Sequence, residues 1–378
     1  MKAGILSRIG LNCIAIIGLL LMPGTGNCAS PLITDNHQEV VQSYDLSNPP
    51  DKVWIWQWSG DIAFHPRGDW QGAWVCLSDT DASSGACPTS LIWAQFGTTD
   101  IRLRFTEQRS SRTVILNVNG NASARCSDML LNSVGCQHSG ALRVSIPAQE
   151  LKKLPFGGIW TAHLELNSRT WEPIISLAGE PSYYYRTRWD ANITLNVTDT
   201  NNAALLFPAS GSATPVVDLN LRPSSAHLIS GQSALDMCLY DGFGANSNQL
   251  ELSFHDAVDN SAPPAWLPRT EFAVVNDRSP AGMCHWGGVQ AAADCVGYNV
   301  ALNYNGQAIR VRENAPVILT GVNQVPVHSV TLPGIPEPVM CVPASLTFNT
   351  PSFPVWQRVS GNYTGALTVT MKVPALTP

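Results

Sequence analysis

Short runs in which apolar and polar residues alternate recur along the chain, and each run is bounded by glycine, proline or asparagine. This pattern limits the possible folds most strongly, because sandwiches and barrels are built from short strands separated by turns. No long stretch has a helical period, and only residues 148–154 predict one helical turn. The pattern therefore predicts an all-β protein, with strands at 53–58, 101–105, 113–118, 141–146, 159–166, 192–197, 216–221, 234–240, 250–254, 272–275, 296–302, 317–319 and 367–373.

The chain is long enough for two domains, since 378 residues exceed what one hydrophobic core commonly organises. Only 13% of the residues are charged, about half the roughly 25% of an ordinary soluble domain. A polar segment at 198–215, with several Asn, Ser, Gly and Pro residues, is typical of a domain boundary. These features favour a secreted two-domain β protein over a helical cytosolic enzyme.

The first residues have the character of a secretory signal peptide, which we place at residues 1–29. Lys2 and Arg8 supply positive charge, an apolar run covers residues 14–22, and small residues follow. The apolar run is shorter than the roughly 20 residues that a membrane-spanning helix needs. A lipoprotein signal at Cys28 is the less favoured alternative, because the Thr-Gly-Asn before it makes a poor lipobox.

The ten cysteines support export. Cys13 and Cys28 belong to the predicted leader, so eight remain, and an even number suits disulfide formation in an oxidising compartment. Eight cysteines allow 105 pairings, so spacing alone leaves the connectivity open. No CxxC pair occurs, which makes a zinc site a weak alternative. The local spacing favours Cys76 with Cys87, Cys126 with Cys136 and Cys284 with Cys295, which leaves Cys238 with Cys341.

The net charge of −6 becomes −8 once Lys2 and Arg8 are removed with the leader, and the chain has no basic run. An acidic chain of this kind argues against nucleic acid as a partner. Without a GxSxG or HExxH motif, and with scattered histidines, the sequence predicts no catalytic residue, no metal and no cofactor. A secreted carbohydrate-active enzyme is the alternative, although carboxylates such as Asp256, Asp259 and Glu337 specify no reaction alone.

A series of motifs from about Trp74 to near the C-terminus resembles, in the same order, the CfaE/CblD-like tip adhesins and pilus initiators of colonisation-factor chaperone–usher fimbriae. The first 40 mature residues and the loop between Cys284 and Cys295 are poorly covered by this resemblance. The motifs are VCLS at 75–78 with GACPTS at 85–90, FTEQRS at 105–110, IPAQELKKLPFGG at 146–158, NITLNVTD at 192–199, VDLNLRP at 217–223, DMCLYDG at 236–242 and GNYTG at 361–365.

The resemblance implies two immunoglobulin-like β-sandwich domains in tandem. Residues 30–200 would be a receptor-binding adhesin domain, 201–215 a linker, and 216–378 an incomplete pilin domain that lacks its last strand. A periplasmic chaperone, and then the N-terminal strand of the major pilin, would fill the gap by β-augmentation. One wall of that strand-acceptor groove would be formed by the alternating apolar residues Leu367, Val369, Met371 and Val373.

The same resemblance implies a location and further partners. The chain would pass through the periplasm and an outer-membrane usher to the fimbrial tip on the cell surface. There it would initiate pilus assembly and bind a host glycan or glycoprotein receptor. A structural minor pilin without a receptor is the alternative within this class of protein.

The receptor site is predicted in the first domain. Relatives carry adjacent arginines after the strand that here ends at 166–167, whereas this chain has Arg169 followed by an insertion of about ten residues. In that insertion Arg186, Arg188 and Trp189 lie among tyrosines and suit an anionic glycan. The alternative is that the arginines are solvated and the aromatic rings pack in the core.

Two weaker candidates lie nearer the N-terminus. Arg67 begins an Arg-Gly-Asp triplet of the kind that integrins bind, but a turn is the more common role of so short a motif. Five tryptophans could form a platform for sugar stacking, although core packing is favoured at strand spacing. These tryptophans are Trp54, Trp56, Trp58, Trp70 and Trp74.

Overall fold

The structure is a computed structural model. It describes residues 34–60, 71–89, 99–125, 137–171, 183–258, 267–279, 282–287, 291–332 and 335–373. Several sequence predictions lie outside these ranges: the signal peptide, the Arg67 triplet, Trp70, Asp259 and the pair Cys126 and Cys136.

The described residues form twenty strands, and the all-β prediction is confirmed. The helical elements include α1 (Ala148–Leu151), where one turn was predicted, and 3₁₀ turns at Thr200–Asn202, Val322–Gln324 and Val355–Gln357. The strands of the first domain are β1 (Asn36–Asp45), β2 (Lys52–Gly60), β3 (Gln71–Cys76), β4 (Thr99–Glu107), β5 (Thr113–Arg125), β6 (Gln137–Pro147), β7 (Gly158–Trp171) and β8 (Tyr183–Thr198). Those of the second domain are β9 (Ala204–Leu206), β10 (Arg222–Ser225), β11 (Leu228–Tyr240), β12 (Gln249–Asp256), β13 (Phe272–Asn276), β14 (Cys295–Tyr304), β15 (Gln307–Arg310), β16 (Val317–Thr320), β17 (His328–Val330), β18 (Val339–Pro354), β19 (Tyr363–Thr364) and β20 (Leu367–Lys372).

The strands of the first domain form one sheet in the order β1-β8-β7-β4-β5-β6-β2, with β3 added to β7. β7 changes its partner along its length, because it pairs with β4 at Trp160 and Thr161 and with β3 over 166–171. The two outer strands approach each other, since Trp56 Nε1 in β2 donates to Asn36 Oδ1 in β1 at 3.1 Å. The sheet therefore closes around a single core. β1 pairs in parallel with β8, whereas the other pairs are antiparallel.

Alternating side chains fill this core, as the sequence predicts. In β4, Ile101, Leu103 and Phe105 are fully buried, while the residues between them face solvent. The predicted core role of the tryptophans is confirmed for Trp56 and Trp74, whose rings lie 5.9 Å and 4.7 Å from the ring of Trp189. By contrast, 38% of Trp54 is exposed. A bulge between Trp54 and Trp56 sets the two rings on different faces of β2.

The second domain contains two sheets. The larger follows β10-β11-β18-β14-β13-β19, with β9 beside β11, β15 beside β14 and β17 beside β18. The smaller follows β16-β12-β20. Side chains from both sheets, among them Phe254, Phe272 and Leu302, meet in a second apolar core. The prediction of two tandem β domains is confirmed.

The predicted linker, residues 201–215, is partly ordered into the second domain. β9 pairs antiparallel with the end of β11, from Cys238 to Tyr240, and Leu205 and Phe207 pack against the second core. Residues 208–214 remain exposed. This strand was not predicted, because the short apolar run Ala-Leu-Leu-Phe lies between two polar segments, and polar segments of this kind are typical of a linker.

Three of the four predicted disulfides lie within the described residues, and all three form. Cys76 pairs with Cys87 and Cys284 with Cys295, at Cα separations of 5.3 Å and 5.5 Å. Cys238 pairs with Cys341 at 5.7 Å and joins the neighbouring strands β11 and β18. The two short loops and the one long loop are therefore those that the spacing favoured.

Within the ranges given above, no helix is both long enough and apolar enough to cross a membrane. In the same ranges, no three side chains of His, Cys, Asp or Glu are grouped so that they could hold a metal ion.

Candidate functional site

The smaller sheet of the second domain has an open edge at β20. One side of β20 pairs with β12, from Leu252 opposite Met371 to Asp256 opposite Leu367, and no described strand pairs with its other side. The predicted alternation is confirmed, because every second residue of β20 is half-buried and the rest are exposed. The half-buried side chains pack against the second core, and they are Leu367, Val369 and Met371, followed by Val373. Backbone donors and acceptors along this edge are therefore available to another strand.

A second segment without a strand partner borders the same core. Residues 216–221 were predicted as a strand, but they belong to no strand and form no backbone–backbone hydrogen bond with described residues. The backbone nitrogen of Asn220 donates instead to the carboxylate of Asp218 at 2.8 Å. Their burial nevertheless alternates, since Val217 and Leu219 pack against the second core while Val216 is 99% exposed. The residue pattern is that of a strand, and the neighbouring strand is missing among the described residues. Both this segment and the outer edge of β20 therefore border one core without a paired strand among the described residues.

The two domains meet at the turn between β4 and β5. Glu107 is fully buried, and its Oε2 accepts hydrogen bonds from the backbone nitrogens of Arg109 at 3.0 Å and Ser110 at 2.6 Å. These bonds fix the turn and aim Arg109 at the second domain. There Nη1 donates to the carbonyl oxygen of Ala245 at 2.7 Å, and Nη2 donates to that of Val325 at 2.6 Å.

A second pair of turns completes the contact between the domains. The buried carboxylate of Asp241 accepts hydrogen bonds from the backbone nitrogens of Phe243 and Ala245, both at 2.8 Å. A Cβ atom at Gly157 would collide with the carbonyl oxygen of Gly242, so only glycine permits this approach of the two backbones. The FTEQRS, IPAQELKKLPFGG and DMCLYDG motifs therefore converge on the interdomain contact, which the sequence alone did not indicate.

We expect Arg109→Ala to weaken the coupling between the domains by about 3 kcal/mol, because two charge-assisted hydrogen bonds are lost and two carbonyl oxygens lose a donor. Calorimetry of the full chain should then show the unfolding transitions of the two domains further apart than in the unchanged protein. Arg112→Ala is the matched control from the same turn, since Arg112 forms an exposed ion pair with Glu337 that contributes about 0–1 kcal/mol. Identical thermograms for all three proteins would contradict the prediction.

The predicted receptor-binding arginines lie at the end of the β7–β8 hairpin that is distant from the second domain. Gly158 pairs with Val197 at the interdomain end, whereas Arg169 pairs with Tyr185 near the other end. Arg169 Nη1 donates to the carbonyl oxygen of Thr89 at 3.3 Å. The side chain of Arg188 is 48% exposed and forms an ion pair with Glu165 at 2.9 Å. Arg188 therefore has a carboxylate partner at the surface.

Two other predicted residues have contrasting positions. Arg186 is the extra residue of a bulge, because Thr187 lies opposite Ser168 and Tyr185 opposite Arg169. Bulges are common beside functional sites. Trp189 is only 4% exposed and lies in the core with Trp56 and Trp74, so its ring is not accessible to a ligand. The prediction that Trp189 contacts the receptor is therefore wrong. Its large apolar ring is buried in the core instead.

Charged side chains link the parallel strands β1 and β8 next to these arginines. Asp35 Oδ1 accepts hydrogen bonds from the backbone nitrogen of Arg188 and the hydroxyl of Thr187, which lower the pKa of Asp35. His37 bonds Asp190 at 2.6 Å and Glu39 at 2.8 Å, and both carboxylates raise the pKa of His37 above its ordinary value. The edge therefore carries three carboxylates around one histidine, and the arginines of the hairpin lie next to it.

The comparisons with known proteins agree with this organisation. Two family profiles of the CFA/I fimbrial protein CfaE match the chain, that of its first domain over residues 27–200 and that of its second domain over residues 203–375. A relative, the CFA/I fimbrial protein CfaE of Escherichia coli, is 34% identical over 313 residues, which are 79% of this chain and 79% of the relative. The chain belongs to the CfaE family of CFA/I fimbrial proteins. The two profiles meet at the 3₁₀ turn Thr200–Asn202, between β8 and β9.

Solved structures of CfaE have the same fold. The crystal structure of CfaE, the adhesive subunit of the CFA/I fimbria of enterotoxigenic Escherichia coli, matches with a TM-score of 0.67 at 24% identity and covers 93% of this chain and 95% of that one. A chain from a chaperone–tip adhesin complex of CFA/I fimbriae matches with a TM-score of 0.59 at 24% identity, over 90% and 97% of the two chains. The family resemblance predicted from the motifs is confirmed.

Proposed function

We propose that this protein is a fimbrial tip adhesin that starts pilus assembly by accepting a strand from another subunit. One observation carries the proposal: β20 has an open edge, and residues 216–221 alternate like a strand without pairing to one. An inserted strand would supply hydrogen bonds to the edge of β20 and apolar side chains to the groove. The adhesive subunit of the CFA/I fimbria, which shares this fold, supports the assignment of adhesion.

Export follows from the same proposal. The chain would enter the periplasm, where its disulfides form, and a chaperone would occupy the groove until the usher and the major pilin replace it. The chaperone–tip adhesin complex of CFA/I fimbriae, one chain of which shares this fold, supports a chaperone as the first partner. The tip position is part of the same proposal, because the open groove lies in the second domain, whereas the two outer strands of the first domain approach each other.

Co-expression with the periplasmic chaperones of chaperone–usher systems tests strand acceptance. We expect a stable one-to-one complex with one of them, and aggregation of the chain when it is expressed alone, because the edge of β20 and the apolar groove would otherwise be exposed. Val369→Asp should abolish the complex, since it places a charge among apolar groups. Thr368→Asp, on the exposed face of the same strand, is the matched control and should leave the complex intact.

A chain that is folded, monomeric and indifferent to every chaperone would contradict strand acceptance. Loss of the complex in Thr368→Asp as well as Val369→Asp would show that any charge on β20 disturbs it, and the groove would then lose its support. Both results can be read by size-exclusion chromatography of periplasmic extracts.

The receptor site is proposed at the end of the first domain opposite the second domain, where Arg169, Arg186 and Arg188 lie close together along the β7–β8 hairpin. This position is supported by geometry, since strand acceptance occurs on the other domain and leaves this end free to meet a cell surface. Guanidinium groups bind carboxylate and sulfate oxygens through paired hydrogen bonds. An anionic glycan is therefore the proposed ligand.

We expect the double substitution Arg186→Ser with Arg188→Ser to lower binding to an array of sialylated and sulfated glycans by roughly tenfold or more, since two charged donors are lost. Glu165→Gln should tighten binding, because it releases Arg188 from its ion pair. Arg310→Ser is the matched control, since Arg310 forms a similar exposed pair with Glu271 at 3.2 Å in the second domain. Unaltered binding by the double variant would overturn the site, and absence of any binding by the unchanged protein would favour a structural minor pilin.

The carboxylates named in the sequence analysis do not support the alternative that this protein is a carbohydrate-active enzyme. Asp256 is buried, and its oxygens accept hydrogen bonds from the backbone nitrogens of Ala273 at 2.8 Å and Val258 at 3.1 Å. Burial raises the pKa of Asp256, but its bonds hold neighbouring strands together. Glu337 forms the ion pair with Arg112 between the domains. Both groups have structural partners, and the relatives are fimbrial subunits.

A further inference from the structure

The second domain carries an exposed apolar patch that strand acceptance does not use. Four of the ten exposed large apolar side chains among the described residues are gathered on two adjoining loops. Trp356 is 67% exposed, and solvent-exposed tryptophan of this extent is uncommon unless it meets another molecule. The patch consists of Met283, Val355, Trp356 and Val359.

The patch is held in place by the chain around it. The backbone of Ala293 donates to the carbonyl oxygen of Gln357 at 2.8 Å and accepts from Val359 at 3.0 Å, which ties the two loops together. The Cys284–Cys295 disulfide anchors the residue after Met283 to the start of β14. The guanidinium of Arg358 lies 4.6 Å from the ring of Phe353. A preformed apolar surface loses little conformational entropy on binding, which suits an interface.

Strand register places the patch beside the first residues of β20. Tyr363 Oη donates to the carbonyl oxygen of Val359, and Tyr363 begins β19, which pairs with the end of β13. β20 starts a few residues later, with Leu367 opposite Asp256 at the end of β12. The patch therefore lies at the end of the domain where β20 begins, which is also where one mouth of the groove opens.

The other mouth of the groove faces the first domain. Lys372, at the end of β20, pairs with Glu251 near the start of β12. The loop that leads into β12 contains Ala245, which binds Arg109 of the first domain. A folded subunit at this mouth would meet the first domain, whereas the mouth beside Leu367 is free of it.

These positions fix the direction of an inserted strand. A strand that runs antiparallel to β20 has its carboxyl end beside Leu367, and a parallel strand has its carboxyl end beside the first domain. The body of a subunit follows the carboxyl end of its own N-terminal strand. Only the antiparallel direction therefore leaves room for that body, and it brings the body to the patch.

We infer that the patch of Met283, Val355, Trp356 and Val359 binds the folded body of the pilin subunit whose N-terminal strand occupies the groove. The inference rests on the proposed strand acceptance. The groove would bind the N-terminal strand of that subunit, and the patch would bind the folded domain that follows the strand. The two subunits would then share one continuous apolar interface. The occupant is a folded pilin domain with an apolar surface around the root of its N-terminal strand.

Oxidative footprinting with mass spectrometry tests the inference on two complexes of the full chain. In the first, a synthetic peptide with the N-terminal sequence of the major pilin occupies the groove; in the second, the intact pilin subunit does. We expect the intact subunit to lower oxidation of Trp356 and Met283 roughly fivefold or more relative to the peptide, because only the subunit covers the patch. Trp54, 38% exposed in the first domain, is the internal control and should react equally in both complexes.

Each other outcome has a definite meaning. Equal oxidation of Trp356 in the two complexes overturns the inference while strand acceptance stands, whether the patch reacts freely in both or is protected in both. Failure of both the peptide and the subunit to bind overturns strand acceptance, and the inference with it.

A variant gives an independent measurement. Trp356→Ser with Val359→Ser should leave the affinity for the peptide unchanged and should speed dissociation of the intact subunit in denaturant by roughly tenfold or more, as expected for an aromatic residue central to an interface. Ile318→Ser, at a position 58% exposed on β16 of the same domain, is the matched control and should change neither quantity. Unchanged dissociation of the double variant would overturn the inference.

Discussion

A donor strand fused after Pro378 through a short flexible linker should convert the chain into a soluble monomer and raise the Tm of the second domain by about 10 °C or more. The strand would cover half-buried apolar side chains of β20, at roughly 1.5–3 kcal/mol for each side chain fully removed from water. A net gain of about 4 kcal/mol suffices for that shift, since 1 kcal/mol moves the Tm of a domain of this size by about 2–4 °C.

The geometry favours fusion at this terminus. β20 ends with Lys372 beside the start of β12, so a strand that follows a turn can run back antiparallel along the open edge. Differential scanning calorimetry and size-exclusion chromatography measure the stability and the oligomeric state. The matched control is the same fusion with an aspartate at each apolar position of the donor, which keeps the length and the backbone but cannot fill the groove.

Equal melting of the fusion, its aspartate control and the unfused chain would contradict an open groove. A second check uses Val369→Asp in the acceptor, which should remove most of the gain from the apolar donor. The first domain supplies an internal reference, because its core is separate from the groove and its transition should remain unchanged.

Removal of the Cys238–Cys341 disulfide should produce the second large effect. This bridge closes a loop of 103 residues, for which loss of the cross-link costs about 4.7 kcal/mol on the chain-entropy estimate. Both cysteines are almost fully buried in a cluster that also contains residues of the first domain, such as Trp160. Cys238→Ser with Cys341→Ser should therefore lower the Tm of the second domain by about 10 °C or more.

Cys76→Ser with Cys87→Ser is the matched control for this experiment. That bridge spans 11 residues and lies in the first domain, so its loss should cost about 3 kcal/mol and should leave the second transition in place. The prediction fails if the short bridge matters as much to the second domain as the long one. Peptide mapping that pairs Cys238 with a different cysteine would also contradict it.

Local sequence predicted what depends on neighbouring residues along the chain. The alternation at 101–105 and 367–373 fixed which side chains of β4 and β20 are buried, because successive residues of a strand face opposite sides. The short cysteine spacings favoured two of the bridges that the structure shows, and the pairing of Cys238 with Cys341 is confirmed as well. The motifs indicated the family without any information about contacts between the domains.

Contacts between distant segments decided the features that local sequence did not predict, because the sequence of a strand does not specify which other strand pairs with its edge. Residues 216–221 have the pattern of a strand but lack a neighbour, and Ala204–Leu206, predicted as linker, gained one in β11. Trp189 follows two arginines in sequence, yet it is buried against Trp74.

The sequence by itself determined that this is an all-β fimbrial subunit with paired cysteines and an apolar face at 367–373. Only the tertiary structure decided that Arg109 joins the domains and that β20 has an open edge. It also placed the exposed Trp356 at the end of the second domain where β20 begins. The reason is that hydrogen bonds and packing between distant segments depend on where the folded chain brings them, whereas alternation along a strand is a property of adjacent residues.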